Sequence, residues 1–386
     1  MRGRALAVTW LVAGWLVTGL LVGCERDPAG EPRAGFAGLG TDAGGFTPVA
    51  PEAALRFPED HGPHPGTRLE WWYLTANLRD AEGAPLGIQW TLFRRALRPP
   101  TAPAAGAWAA DQLWMAHVAV SRGADHRVAE RFARGAGQGG ADEARQAGVI
   151  ADPFRAWLDD WRLESRVEAG TGDALDRLEV SAEAGRGEAA FGYRLTLDAQ
   201  GPLVLHGKPA FGEAAAGAGG PIYLSQPFYR VTGTVTLGGE RLSVSGRAWL
   251  DREWGNQLMA PWHHGWDWFS LHLAGGRKLM VYRLRGEAAT DTTLFGSWIA
   301  ADGETRALDG EALSLTPLAT RSVAGRELPL RWRLTLPEQG LDLEVSARHP
   351  NRWMSTSVPY WEGAVTVRDR DDGAARGEGY LEMTGY

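Results

Sequence analysis

The sequence predicts an all-β protein built as two tandem barrels, and three observations predict it. Short segments of alternating apolar and polar residues recur along the chain with Gly, Pro, Asn and Asp turn signals between them. Long stretches with helical periodicity are missing. An aromatic hairpin also occurs twice: setting Leu78 against Leu273, 195 positions later, places W-W-Y-L-T-A-N-L beside W-D-W-F-S-L-H-L, each followed by a short polar turn and a second strand. A chain of 386 residues suits two domains, and about eight strands in each would close a small barrel whose lumen holds side chains or one apolar ligand.

The first residues read as an export signal. Arg2 and Arg4 precede an apolar run over residues 5–22, and L-V-G-C ends it at Cys24, the only cysteine. This tetrapeptide resembles the lipobox of bacterial lipoproteins, which implies a signal peptide over residues 1–23 and acylation of Cys24. Acyl chains contribute about 0.8 kcal/mol per buried methylene, enough for several to anchor a protein to a membrane. Glu25, not aspartate, follows the cysteine, so in a two-membrane envelope the expected address is the outer membrane on its periplasmic side. An acylated Cys24 leaves no thiol for disulfides, catalysis or metal. Residues 24–54 are rich in Gly, Ala and Pro and read as a flexible tether.

The first barrel is expected over residues 55–245. The opening F-P-E-D-H-G-P-H-P-G is loop, strands follow at 69–78 and 87–94, and further strand patterns lie at 114–121, 160–169, 175–184, 189–197 and 229–237. The second is expected over residues 246–386, with strands at 265–273, 278–284, 292–300, 312–318, 328–336, 341–346, 361–367 and 377–383. In the recurring strands Glu70, Trp72, Leu74, Ala76 and Leu78 match Gly265, Asp267, Phe269, Leu271 and Leu273, an apolar face assigned to the interior. The other face, Trp71, Tyr73, Thr75 and Asn77 beside Trp266, Trp268, Ser270 and His272, meets solvent or the other domain. Glu70 and Asp267 then sit at the ends of buried faces, where each needs a cationic partner or a raised pKa. Arg68 and Arg252 are the nearest cations in sequence.

Chemistry concentrates in residues 246–273, which carry Trp249, Trp254, Trp262, Trp266, Trp268, three carboxylates and the pair His263 and His264. In a strand, Trp249, Asp251 and Glu253 share one face and Leu250, Arg252 and Trp254 the other. Two carboxylates on one face repel, which raises a pKa; the same charges would equally serve as an ion-pair cluster between domains. His61, His64, His263 and His264 lack metal-ligand spacing, so no metal is expected. No G-x-S-x-G elbow, phosphate loop or dinucleotide fingerprint occurs, so no cofactor is expected. A net charge of −7 without a basic patch argues against nucleic acid. What remains is acid chemistry on an apolar substrate: a neutral carboxylic acid protonates an alkene, indole faces stabilise the cation, and water completes a hydration.

Three motifs, F-P-E-D-H-G-P-H-P-G-T-R-L-E-W-W-Y, W-L-D-R-E-W-G and H-G-W-D-W-F, together resemble the AttH-like and carotenoid 1,2-hydratase-like family over residues 57–386. The resemblance implies two tandem lipocalin-like (calycin) domains and an elongated apolar ligand, a lipid or isoprenoid, bound in or between the barrels. The related hydratases add water to an isoprenoid double bond. Where their pattern reads D-H-N-W, this chain reads D-R-E-W: Trp254 is kept and Arg252, which carries no mobile proton near neutral pH, replaces the histidine. Three readings follow. A lipid-anchored envelope protein would bind an apolar ligand with Glu70, Trp72, Arg252, Trp254, His264, Trp266 and Trp268. A hydratase would use Asp251, Glu253 or Asp267 as acid. An accessory protein would recognise another envelope component.

Overall fold

A computed structural model describes residues 44–49, 54–102, 110–135, 146–168, 171–206, 220–257, 259–260 and 262–386. Cys24 and the signal lie outside them. Among the described residues there are strands and short 3₁₀ turns and no α-helix, as the alternating pattern requires.

One antiparallel sheet contains β1 (Leu69–Asp80), β2 (Pro85–Ala96), β3 (Gln112–Arg122), β4 (Asp125–Gly135), β5 (Ala147–Ala151), β6 (Phe154–Leu158), β7 (Trp161–Ser165), β8 (Arg177–Ala184), β9 (Phe191–Ala199), β10 (Val204–Leu205), β11 (Ile222–Leu237) and β12 (Glu240–Gly255). A second contains β13 (Gly265–Leu273), β14 (Lys278–Arg285), β15 (Thr293–Ile299), β16 (Thr305–Leu308), β17 (Ser314–Val323), β18 (Arg326–Leu336), β19 (Leu341–Ala347), β20 (Trp353–Met354), β21 (Tyr360–Asp369) and β22 (Ala375–Thr384). Their orders are β4-β3-β2-β1-β12-β11-β9-β8-β7-β6-β5 and β16-β15-β14-β13-β22-β21-β19-β18-β17. In each the first strand pairs with the last, β1 with β12 and β13 with β22. The two hairpins aligned by sequence thus occupy the same place in two sheets of matching order. Both sheets curl into the barrel-like form of tandem lipocalin-like domains.

Side-chain alternation sorts each central strand. Trp72, Leu74, Ala76 and Leu78 enter one core with Trp90 and Leu195, and Phe269, Leu271 and Leu273 enter the other with Trp332 and Trp361. The opposite faces do not meet solvent: Tyr73, Trp249, Trp266, Trp268, Tyr282 and Tyr380 form a third cluster between the sheets. The barrels therefore pack back to back through the outward faces of their central strands.

Two boundaries differ from expectation. Residue 246 falls inside β12, whose ladder with β1 runs unbroken from Asp80↔Val244 to Leu69↔Gly255. Cutting there would strip β1 of a neighbour, so the first sheet extends to Gly255. The expected tether is also anchored at its end. Val49 is buried, the Thr47 amide donates to the Gly66 carbonyl at 2.9 Å, and Asn256 Nδ2 donates to the Thr47 carbonyl at 2.7 Å.

Phe269 is fully buried, edge-on to Trp332 with ring centroids 5.5 Å apart. Phe269→Ala should destabilise the protein by about 3–5 kcal/mol through lost burial and a residual cavity, read as a lowered urea midpoint at unchanged slope.

Candidate functional site

Strand parity builds the site. Trp249, Asp251 and Glu253 of β12 face the seam, as do Tyr380 and Glu382 of β22 and Tyr360 and Glu362 of β21. Between them lies a cavity of about 200 Å³. Tyr73, Tyr223, Trp266, Trp268, Tyr282 and Tyr360 contribute its aromatic walls, and Asp251, Glu253 and Glu382 reach it as carboxyl groups.

Four of the polar ring tips are tied to partners in the seam. Trp249 Nε1 donates to Asp251 Oδ1 at 2.7 Å, and Trp266 Nε1 donates to Glu382 Oε1 at 2.6 Å. Tyr73 Oη donates to Glu362 Oε1 at 2.6 Å, and Trp268 Nε1 to Tyr223 Oη at 3.0 Å. Ser225 Oγ also donates to Asp251 Oδ1. Behind it, His206 Nε2 lies 2.6 Å from Ser225 Oγ and His206 Nδ1 lies 2.8 Å from Ser297 Oγ of the second barrel. Glu253 is the exception: among the described residues no donor reaches its carboxyl, though it is 4 % exposed and borders the cavity.

These carboxyl groups are pushed toward their neutral form. Burial raises Asp251 to about 7 against the hydrogen bonds from Ser225 and Trp249. Glu253 rises well above the ordinary carboxylate range through burial, then through the charges of Asp251 and Glu382. Burial raises Glu382 to about 7 and, with the charge of Glu382, lifts Glu362 further. Arg94, which lines the cavity, is committed to Glu70, Gln112 and two backbone carbonyls. The result is an apolar, aromatic chamber whose carboxyl groups keep or exchange a proton near neutral pH, which is an environment for proton donation.

The AttH-like family pattern matches residues 48–386. The chain belongs to the AttH-like family. Among solved structures it is similar to an AttH-type protein from Nitrosomonas europaea, at 32% identity over 88% of this chain and 99% of that one, with a TM-score of 0.73. Kievitone hydratase from Nectria haematococca shares 18% identity over 88% and 98% of the two chains, TM-score 0.60. CghA in complex with Sch210972 shares 15% over 88% and 95%, TM-score 0.51. At those identities the last two show the fold alone. No curated protein matches the chain.

In this AttH-like chain the residues singled out by sequence divide into three groups. Asp251, Glu253, Trp266 and Trp268 meet in the cavity. Asp267 does not join them. Its parity sends it to the inner face of the second barrel with Phe269, where it accepts from Tyr386 Oη at 2.7 Å and lies 3.4 Å from Arg283 and 3.5 Å from Arg285. Burial still raises it, against those two arginines, but the strand separates it from the chamber.

Glu70, Trp72, Arg252 and Trp254 form a closed cluster inside the mouth of the first barrel. Glu70 touches the cavity edge, yet its carboxylate is taken by Arg252 and Arg94 at 3.0 Å and by His64 Nδ1 at 2.8 Å. Burial would raise Glu70, but Arg252, His64 and Arg94 together outweigh it and hold the group well below the usual range. Arg252 lies 3.9 Å from the Trp72 ring and 5.3 Å from that of Trp254. Trp254 in turn stacks on His64 with centroids 4.0 Å apart. None of Trp72, Arg252, Trp254 and the exposed His264 lines the cavity.

Sequence reasoning missed Glu362, Glu382, Ser225 and His206. The signal for the first two was present: Y-W-E-G-A-V and Y-L-E-M-T each set a glutamate at an alternate position of an otherwise apolar strand.

Asp251 gives a pH test. Its folded pKa of about 7 lies above the unfolded value of 3.8, so its neutral form stabilises the fold below the unfolded value, and that contribution is lost as pH rises toward 7. Asp251→Asn, which stays neutral, should therefore gain on wild type by about 1.4 kcal/mol per pH unit between pH 4 and 7. Urea unfolding at pH 5 and 7.5 checks it; a pH-independent difference would contradict it.

Proposed function

We propose that this protein binds an elongated apolar ligand of the lipid or isoprenoid class at the cavity between its barrels, and that Glu253 protonates a double bond of that ligand. The observation that carries this is the Glu253 carboxyl: neutral by environment, bordering the cavity, with no hydrogen-bond donor among the described residues to hold it as a carboxylate.

The chemistry balances without a cofactor. The Glu253 O–H bond breaks as a C–H bond forms at one alkene carbon, leaving a cation at the other. The faces of Trp266 and Trp268 stabilise that cation through their quadrupoles. Water adds to it, and the proton released returns to the Glu253 carboxylate by way of Asp251, which restores the acid. Asp251, with a pKa of about 7, is suited to that return because it exchanges a proton near neutral pH. Arg252 takes no part; it serves Glu70. A hydratase on the same fold in Nectria haematococca is in keeping with this reading. Export and acylation at Cys24, read from the sequence, would hold the chamber in the cell envelope, where apolar ligands are found.

Native mass spectrometry of detergent-released protein should reveal a co-purified lipid or terpenoid. With that ligand in hand, Glu253→Gln should lower hydration at least 100-fold while affinity stays within about threefold of wild type. Unchanged turnover would remove Glu253 from the chemistry. A bare protein that binds no lipid or terpenoid would remove the ligand reading.

A further inference from the structure

The far end of the same seam is a second, differently charged space. A groove of about 640 Å³ runs between β1, β11 and β12 of the first barrel and the β13–β14 turn and β22 of the second. Its first-barrel wall is a row across three strands: Asn77 pairs in register with Arg247, and Arg247 with Arg230. Like charges directly opposite on a ladder repel. Among the described residues no carboxylate pairs with either arginine, although the other groove arginines are neutralised. Arg79 meets Glu378 at 3.2 Å, and Arg376 meets Asp369 at 2.8 Å and Asp372 at 3.3 Å. The one acid of the groove wall, Glu378, is held again by Arg348 at 2.7 Å.

The second-barrel wall adds one buried polar group, His272, and Lys278 lies behind that wall, outside the groove lining. His272 is 2 % exposed, lines the groove, and has no hydrogen-bond partner at Nδ1. Beside it Lys278 is 6 % exposed, with Nζ 2.7 Å from the Gly276 carbonyl and 4.4 Å from the centre of the Phe228 ring. The local field is positive. Burial, then Lys278 and Arg247, push His272 down to about 3, and burial, then Arg247, push Lys278 down to about 8. Arg230 and Arg247 thus stand side by side in the groove with no carboxylate among the described residues bound to either, the Asp198 opposite Arg230 on β9 lying 3.4 Å from Arg177, beside a buried imidazole that lacks a full set of partners.

We propose that this groove is a binding site for a phosphate group, with the Arg230 and Arg247 guanidiniums donating to its oxygens and His272 completing the floor. A carboxylate would balance one of the two arginine charges; a phosphate monoester balances more and accepts from several donors at once. The ligand is either a soluble phosphate or the phosphate headgroup of a lipid. The site is independent of the cavity chemistry.

Calorimetry of the full chain with inorganic phosphate, at ionic strength held constant with chloride, tests the free form. Binding should be saturable, and Arg230→Gln and Arg247→Gln should each weaken it about tenfold, with the His272 resonances of wild type titrating upward when phosphate is bound. The lipid form is tested by co-sedimentation with phosphatidylcholine vesicles with and without phosphatidic acid, in a Cys24→Ser background that removes the anchor. Recruitment that needs phosphatidic acid and fails in the double arginine variant assigns the headgroup. Both variants face solvent on formed strands, so loss of fold is not expected, and urea unfolding verifies it. The proposal is overturned if phosphate and phosphatidic acid both fail to bind, or if wild type and the double variant bind alike.

Discussion

Desolvation in the seam between the two sheets is the constraint on which the site depends. Glu70 and Glu253 show it as a pair, because they sit on neighbouring strands one step apart in register, opposite Trp254 and Trp71 respectively. Both are almost fully buried. Their protonation states nevertheless diverge. Glu70 has two guanidiniums and an imidazole within hydrogen-bonding distance, which repay the cost of removing a charge from water. The charges that act on Glu253 are those of Asp251 and Glu382, and the least costly answer is to keep its proton. Burial therefore does not decide the charge of a carboxyl here; the sign of its neighbours does.

The strand itself keeps these two environments apart. In D-R-E-W, period-two alternation sends Asp251 and Glu253 to the seam and Arg252 and Trp254 into the first barrel. Relative to D-H-N-W, the chain carries a cation on the inner face and an acid on the outer face. Arg252 has the partner it needs in Glu70 and stacks between indoles, so its charge is spent inside the barrel. Had Arg252 shared the face of Glu253, it would have drawn the proton off that acid.

Much of the architecture was legible because it is local. The two hairpins, the inner faces of β1 and β13, and the shared face of Asp251 and Glu253 all follow from alternation over a few residues. What was not legible is long-range. Glu382 joins Asp251 only because β22 pairs with β13 and the sheets pack back to back, contacts that no window of sequence contains. β4 went unassigned because D-H-R-V-A-E-R-F-A-R-G carries charges at five of its eleven positions and only Ala133 is buried among its residues. Asp267 entered the catalytic set through the density of its neighbourhood, although the same alternation had already placed it on an inner face. Parity was the better guide than proximity.

The seam now reads as one interface with two chemistries, and Trp249 is where they divide. Its indole donates to Asp251 on one side, while its ring stands edge-on to His272 on the other, centroids 5.8 Å apart. Arg247 and Asp251 share a face of β12 on either side of this residue, about 13 Å apart along an extended strand. That exceeds the Debye length of roughly 8 Å at physiological salt, and the groove end is open to solvent. Arg247 accordingly acts on His272 and Lys278, its near neighbours, and is not among the influences on Asp251. An anion entering the groove would change the charge of its own end and leave the protonation of the cavity acids as it was. The two ends can therefore be occupied independently, sharing a wall without sharing a charge.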